Sequence, residues 1–151
     1  MSAIAVIDTN IVLDLFVFGE PALAPLQAAL LAGSLQWLAT PPMRAELARV
    51  LAYPHIAARM QRDGLEPTTV LAAFDAQSRM VPPAAKAPCT CRDADDQIFI
   101  DLAVAHRASL LSKDRALLCM KKRLAASAVA CMSAIDFVAQ SFPHGPSAST
   151  A

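Results

Sequence analysis

One stretch, Ala3-Ile4-Ala5-Val6-Ile7, constrains the fold of this chain more than any other. It is apolar on both faces, β-rich at its end, and stops abruptly at Asp8-Thr9-Asn10. A strand with no polar face is buried on both sides, as strands are inside a parallel sheet. The next two segments read as helices packed on it. Ile11 to Phe18 is apolar around a lone Asp14 until Gly19, and Leu23, Leu26, Leu30 and Leu31 keep helical spacing between Pro21 and Gly33.

The alternation continues along the chain. Leu35-Gln36-Trp37-Leu38-Ala39 reads as a second strand, and Thr40 is placed to cap a helix that starts with proline. Met43, Leu47, Val50 and Leu51 form the apolar stripe of that helix, expected from Met43 to Tyr53, and Pro54 breaks it. Two more helices are expected at 55–62 and 67–78, the second opened by Glu66-Pro67, then an edge strand at Met80-Val81. Residues 82–92 are proline-rich and read as an extended surface loop. A helix is expected from Asp95 to Arg107, with Ile98, Phe99, Leu102 and Ala105 inward. A fourth strand at Ala108–Ser112 ends at Lys113-Asp114, followed by a helix at Ala116–Arg123 and a fifth strand at Ala128–Cys131. The last helix, Ser133 to Gln140, is capped by Ser133. Strands alternating with helices predict a single three-layer α/β/α sandwich around a mostly parallel five-stranded sheet, spanning residues 1–140. Residues 141–151, rich in Pro, Ser and Gly, are expected to be a disordered tail.

Composition agrees with one domain: 151 residues, 56% of them hydrophobic, a length that buries roughly 68–70% of the unfolded surface. No apolar run reaches the ~18 residues of a membrane span, so the mean hydropathy of +0.43 implies a soluble globular protein. The N-terminus has no basic region and carries Asp8 inside its apolar stretch, unlike a signal peptide, which makes the cytoplasm the expected compartment. Cys89, Cys91, Cys119 and Cys131 are spaced neither as a disulfide framework nor as a zinc site and read as ordinary thiols. Net charge is +0, so any nucleic acid must be held by a local patch rather than by the field of the whole molecule.

In open α/β sheets, sites form outside the carboxyl ends of the strands. Asp8 follows the first strand directly and Asp114 follows the fourth by two residues. A carboxylate closing a buried strand costs desolvation unless a cation meets it, and one divalent metal would serve several at once. Each aspartate also suits a helix cap. Glu46, at the edge of its helical stripe, is either a group reaching over the sheet edge or an ordinary solvated charge. In Asp93-Ala94-Asp95-Asp96 the helix dipole favours acids; Asp93 and Asp95 suit capping, and Asp96 is the one least explained by it. Hard cations such as Mg²⁺ and Mn²⁺ take oxygen ligands. His55, His106 and His144 are scattered, so no Cys/His set competes. A carboxylate cluster without histidine suits in-line hydrolysis of a phosphodiester by a metal-activated water.

These residues resemble the PIN-domain family of metal-dependent ribonucleases, which includes the VapC-type toxins of toxin–antitoxin pairs. The resemblance lies in Ile7-Asp8-Thr9-Asn10, in Arg44-Ala45-Glu46-Leu47, in Asp96 heading Gln97-Ile98-Phe99-Ile100-Asp101-Leu102-Ala103, and in Leu111-Ser112-Lys113-Asp114. It runs from residue 3 to about 138, and Arg92-Asp93-Ala94-Asp95-Asp96 resembles a branch of PIN-type toxins. It implies that Asp8, Glu46, Asp96 and Asp114 form an acidic quartet holding one or two Mg²⁺ or Mn²⁺ ions, with Asp93 and Asp101 as further candidates. Thr9, Asn10 and Ser112 would orient carboxylates or a bound water. Arg92, Lys113, Arg115, Lys121 and Lys122, with Arg123 closing the last run, are candidates for RNA contact or are simply solvated charges. The resemblance also implies a homodimer and, for the toxin branch, a cognate antitoxin as partner.

Other classes fit less well. A haloacid-dehalogenase-type phosphatase needs a second aspartate two residues after the first, where this chain has Asn10. An EF-hand at Asp93 has Ile98 where the turn glycine belongs and Val104 where the bidentate acid belongs. A non-catalytic or housekeeping RNA-binding domain of the same fold is the alternative to a toxin.

Overall fold

The computed structural model describes residues 3–142. Of the segment expected to be a disordered tail, residues 141–151, Ser141 instead closes the last helix and Phe142 is also described, while residues 143–151, His144 among them, lie outside the described residues. The first half of the chain contains β1 (Ala3–Ile7), α1 (Thr9–Phe16), a 3-10 turn (Pro21–Leu23), α2 (Ala24–Ala32), β2 (Leu35–Ala39), α3 (Pro41–Leu51), α4 (Pro54–Arg62), α5 (Pro67–Gln77) and β3 (Ser78–Met80). After the proline-rich loop come a second 3-10 turn (Ala94–Asp96), α6 (Gln97–His106), β4 (Ser109–Leu111), α7 (Arg115–Leu118), α8 (Lys121–Ala125), β5 (Cys131–Met132) and α9 (Ala134–Ser141).

All strand pairs are parallel, in the order β3-β2-β1-β4-β5. The first apolar run is therefore the central strand, as its lack of a polar face requires: Ala5 and Val6 are fully buried between Trp37 and Leu38 on one side and Ser109 and Leu110 on the other. From β1 the chain steps outward to β2 and β3, then crosses back to β4 and β5. Right-handed crossovers send these two halves to opposite faces. Accordingly α2 packs on β2, α3 packs against α1, α4 and α5, and α9 packs against α2, while α6 covers β1 and β4 and α7 and α8 cover β5. Trp37 is 1% exposed and anchors the first layer, stacked on Phe16 at 6.1 Å and edge-on to Phe74 at 4.9 Å. Aromatic pairs of this kind add about 0.5–1.5 kcal/mol each beyond the area they bury.

Among the described residues no single helix is long and apolar enough to cross a membrane; α1 and Pro21–Ala32 reach that length only as a pair bent by 102°. Their apolar residues Ile11, Leu15, Leu26 and Leu30 are buried in the core.

Several local expectations are corrected. Thr40 occupies the N-cap position of α3, but its side chain makes no capping bond, and it is buried. The edge strand is Ser78–Met80 rather than Met80-Val81, because α5 ends at Gln77 and the chain turns directly into pairing with β2. Ala105 is exposed; Ile100 and Ala103 take the inward positions beside Phe99 and Leu102. The helix expected over Ala116–Arg123 is broken at Cys119-Met120, where a tighter turn buries Met120. The fifth strand starts only at Cys131, because Ala128 takes a left-handed conformation (φ 62°) that no strand accepts. At the far end, Phe142 packs edge-on against Phe137. Ser133 caps α9 as expected, accepting the Asp136 N–H at 3.0 Å.

Candidate metal centre

Strand order reverses at β1, and in such sheets a crevice opens at the carboxyl ends of the two strands that diverge. Asp8 stands there. Its N–H donates to the Leu111 carbonyl at 2.9 Å, carrying the β1–β4 pairing one residue past the strand. It occupies the N-cap position of α1, but its side chain caps nothing. Instead one carboxylate oxygen accepts the Ser112 hydroxyl at 2.8 Å. Ser112, fully buried, in turn accepts the Asp114 N–H at 2.9 Å. Burial pushes the Asp8 carboxyl up to about 6; the Ser112 hydroxyl and the Thr9 backbone pull it down, and the charges of Glu46 and Asp114 push it further up.

Glu46 arrives from the middle of α3, half-buried, with one oxygen bound by the Thr9 hydroxyl. Asp96 closes the 3-10 turn ahead of α6. Although it stands at the N-cap position, it makes no side-chain capping bond. It is 7% exposed, and its Oδ2 is buried without a hydrogen-bond partner. Burial drives its carboxyl up to about 8, reinforced by hydrogen bonding with Asp114 and by the charges of Asp8, Asp114 and Asp93. Asp114 does two things at once: it caps α7 by accepting the Ala116 N–H at 2.9 Å, and it faces Asp96.

The acids that come within 4.8 Å of one another are Asp93, Asp96 and Asp114 rather than the expected four; Asp8 and Glu46 stand outside that group, and Asp8 feels Asp114 only through its charge. Asp93 also caps the 3-10 turn by accepting the Asp95 N–H at 3.0 Å, while it, Asp96 and Asp114 each offer an oxygen to the group. Asp101 does not join them. Its carboxylate accepts from the Ala87 N–H at 2.9 Å and from Gln97 at 2.8 Å, tying the proline-rich loop to α6. Asn10 is exposed on the first turn of α1. Of the candidate cations, Lys113 is paired with Asp14 at 2.9 Å, while Arg92, Arg115, Lys121 and Lys122 are exposed.

Sequence reasoning missed Gln97 and Cys91. Gln97 accepts the Cys91 N–H at 2.7 Å and donates to the Cys89 carbonyl at 3.0 Å, so it holds the loop that leads into Asp93. The buried Cys91 thiol rests on the Ala116 carbonyl; burial first, then the charges of Asp96, Asp93 and Asp114, raise its pKa. An amide so soon after a proline-rich loop is the only signal that pointed there. All four cysteines are free.

The donor set fits a hard divalent cation. It consists of carboxylate oxygens from several separate segments. The ion pairs among the described residues join Arg44 to Asp75, Arg59 to Asp63 and Lys113 to Asp14, so none neutralises Asp8, Glu46, Asp96 or Asp114. A buried, unpartnered oxygen on Asp96 is the group such an ion would satisfy. Compared with known families, residues 5–116 match the one described as PIN domain. No curated protein matches the chain at a significant level.

Proposed function

The chain belongs to the PIN-domain family, whose members are generally metal-dependent nucleases, and on that premise we propose that it is a metal-dependent endoribonuclease. The observation that carries this reading is the buried Asp96 oxygen without a partner, set among acids that no cation among the described residues neutralises. Asp8, Glu46, Asp96 and Asp114 would hold one or two Mg²⁺ or Mn²⁺ ions, with Asp93 at the exposed rim. When bound, the cation supplies Lewis acidity that activates water and offsets charge on the phosphate.

The chain's own residues supply the geometry. Ser112 engages one oxygen of Asp8 and Thr9 one oxygen of Glu46, which holds both carboxylates in place toward a ligand. The Ser112 bond to the Asp114 N–H fixes the turn after β4, so Asp8 and Asp114 keep one relative position. Asp101 and Gln97 hold the loop ahead of Asp93.

The test is cleavage of single-stranded RNA by purified protein with Mn²⁺. Wild type should cut, and Asp8→Asn and Asp96→Asn should lose activity by orders of magnitude. Equal cleavage by all three, or none by wild type freed of any copurifying inhibitor, would overturn the proposal.

We read the biological role as the toxin of a toxin–antitoxin pair, acting as a homodimer in the cytoplasm, from the resemblance carried by Arg92 to Asp96. Expression alone should then arrest growth, Asp96→Asn should be harmless, and the product of a small adjoining reading frame should rescue. Normal growth on expression of an active enzyme would favour housekeeping RNA processing.

A further inference from the structure

We infer that the cleft between the proline-rich loop and α8 is a phosphate subsite, where a single-stranded nucleic acid continues beyond the acid cluster. This rests on the nuclease reading above. The cleft has a volume of about 570 Å³ and is lined by Pro88, Cys89, Thr90, Arg123, Ala126 and Ser127. Its polar groups are one guanidinium, two hydroxyls and one thiol, and no carboxylate lines it. That set matches a phosphodiester: Arg123 supplies charge and a forked donor, and Thr90 and Ser127 supply hydroxyl donors.

A second cation is fixed at the rim. Lys86 donates to the Thr90 hydroxyl at 2.8 Å and to the Ala87 carbonyl at 3.1 Å, so its position is set without its charge being neutralised. Neither Lys86 nor Arg123 takes part in an ion pair among the described residues. In a molecule of net charge +0, such unspent cations decide where an anion lands. The cleft between α1 and α9 differs: Asp14 and Glu20 line it, and its Lys113 is already bound to Asp14.

Connectivity places the loop cleft on the path of a substrate strand. One wall runs from Cys89 and Thr90 straight into Asp93; the other runs from Asp114 through α7 and α8 to Arg123. The Cys91 thiol on the Ala116 carbonyl, at 3.6 Å, joins the two walls between cleft and acids. A strand with one phosphate at the acids would meet the cations of the cleft where these two walls continue. An open groove with hydroxyl and guanidinium donors suits backbone contact that tolerates any sequence.

The experiment is anisotropy with a short labelled oligoribonucleotide and the full-length protein in EDTA, where no cleavage intervenes. Arg123→Ala should weaken binding about tenfold, as loss of a charged hydrogen bond does, and lower the salt dependence (the slope of log K against log salt) by about 0.7. Lys86→Ala should act in the same direction. Arg62→Ala, on α4 in the opposite layer, should change neither quantity. DNA of the same sequence should lose affinity by the same factor, since the phosphate is the common ligand. Wild-type affinity and slope in both Arg123→Ala and Arg123→Glu would overturn the inference, as would a loss confined to RNA. Intact binding without Mn²⁺-dependent cleavage would instead strike the nuclease reading.

Discussion

Ser112 serves two aspartates at once, donating to Asp8 and accepting the Asp114 N–H from a fully buried position. Ser112→Ala removes both bonds and should cost about 1–3 kcal/mol in stability. The same change should raise the Mn²⁺ requirement for cleavage about 10–100-fold, as loss of a ligand-orienting group does. A Mn²⁺ titration that superimposes on wild type would refute the positioning role. In EDTA at pH 8, Asp96→Asn should melt higher than wild type, since it removes a buried group that resists ionisation, while abolishing cleavage. A lower melting temperature would mean that the carboxylate is stabilised by something other than a metal. Asp8 is legible in the sequence because the strand before it has no polar face, which fixes its end at the sheet edge. Asp93 looks in the sequence chiefly like a cap, and its approach to Asp96 and Asp114 depends on a 3-10 turn that no periodicity announces. Ser112 comes only from family resemblance, because a serine at a strand end has many ordinary uses.

At the scale of elements, the proline-rich loop has almost no regular structure of its own and is held by α6. Asp101 and Gln97 take three of its backbone groups: the Ala87 N–H, the Cys91 N–H and the Cys89 carbonyl. Asp101→Ala leaves the buried Ala87 N–H unpaired. It should speed amide exchange across residues 82–92 and weaken oligonucleotide binding, with the Mn²⁺ requirement unchanged. A shift in the Mn²⁺ requirement alone would return Asp101 to the metal site. The long elements β1, β2, α3 and α6 follow from apolar spacing, since each buries a complete stripe or face. The region after Asp114 is less legible: α7 and α8 have four and five residues and β5 has two. Elements so short carry too little of any repeat to be recognised, and the left-handed Ala128 that delays β5 has no glycine to mark it.

For the whole molecule, pH and the proposed metal would act through the same groups. In the metal-free protein the carboxyls of Asp8 and Asp96 sit at about 6 and about 8, above the ordinary 3.8. The folded chain therefore holds protons that the unfolded chain releases. Their stabilising contribution is complete below about pH 4 and is lost as pH rises through the two folded values. The melting temperature in EDTA should thus fall between pH 5 and pH 8, and Mn²⁺ should raise it more at pH 8, where more of these carboxyls are ionised. A melting temperature that rises with pH in EDTA, together with no Mn²⁺ effect, would count against a metal at this cluster. The bond between Ser112 and Asp8 spans 104 positions of sequence, and this has a consequence for synthesis. The central strand β1 comes first in the chain and stays open on one side until β4 pairs with it, which brings the two ends of the site together. No N-terminal fragment that stops short of Leu111 can form the Ser112–Asp8 bond, and pairing across so long a stretch of chain is intrinsically slow.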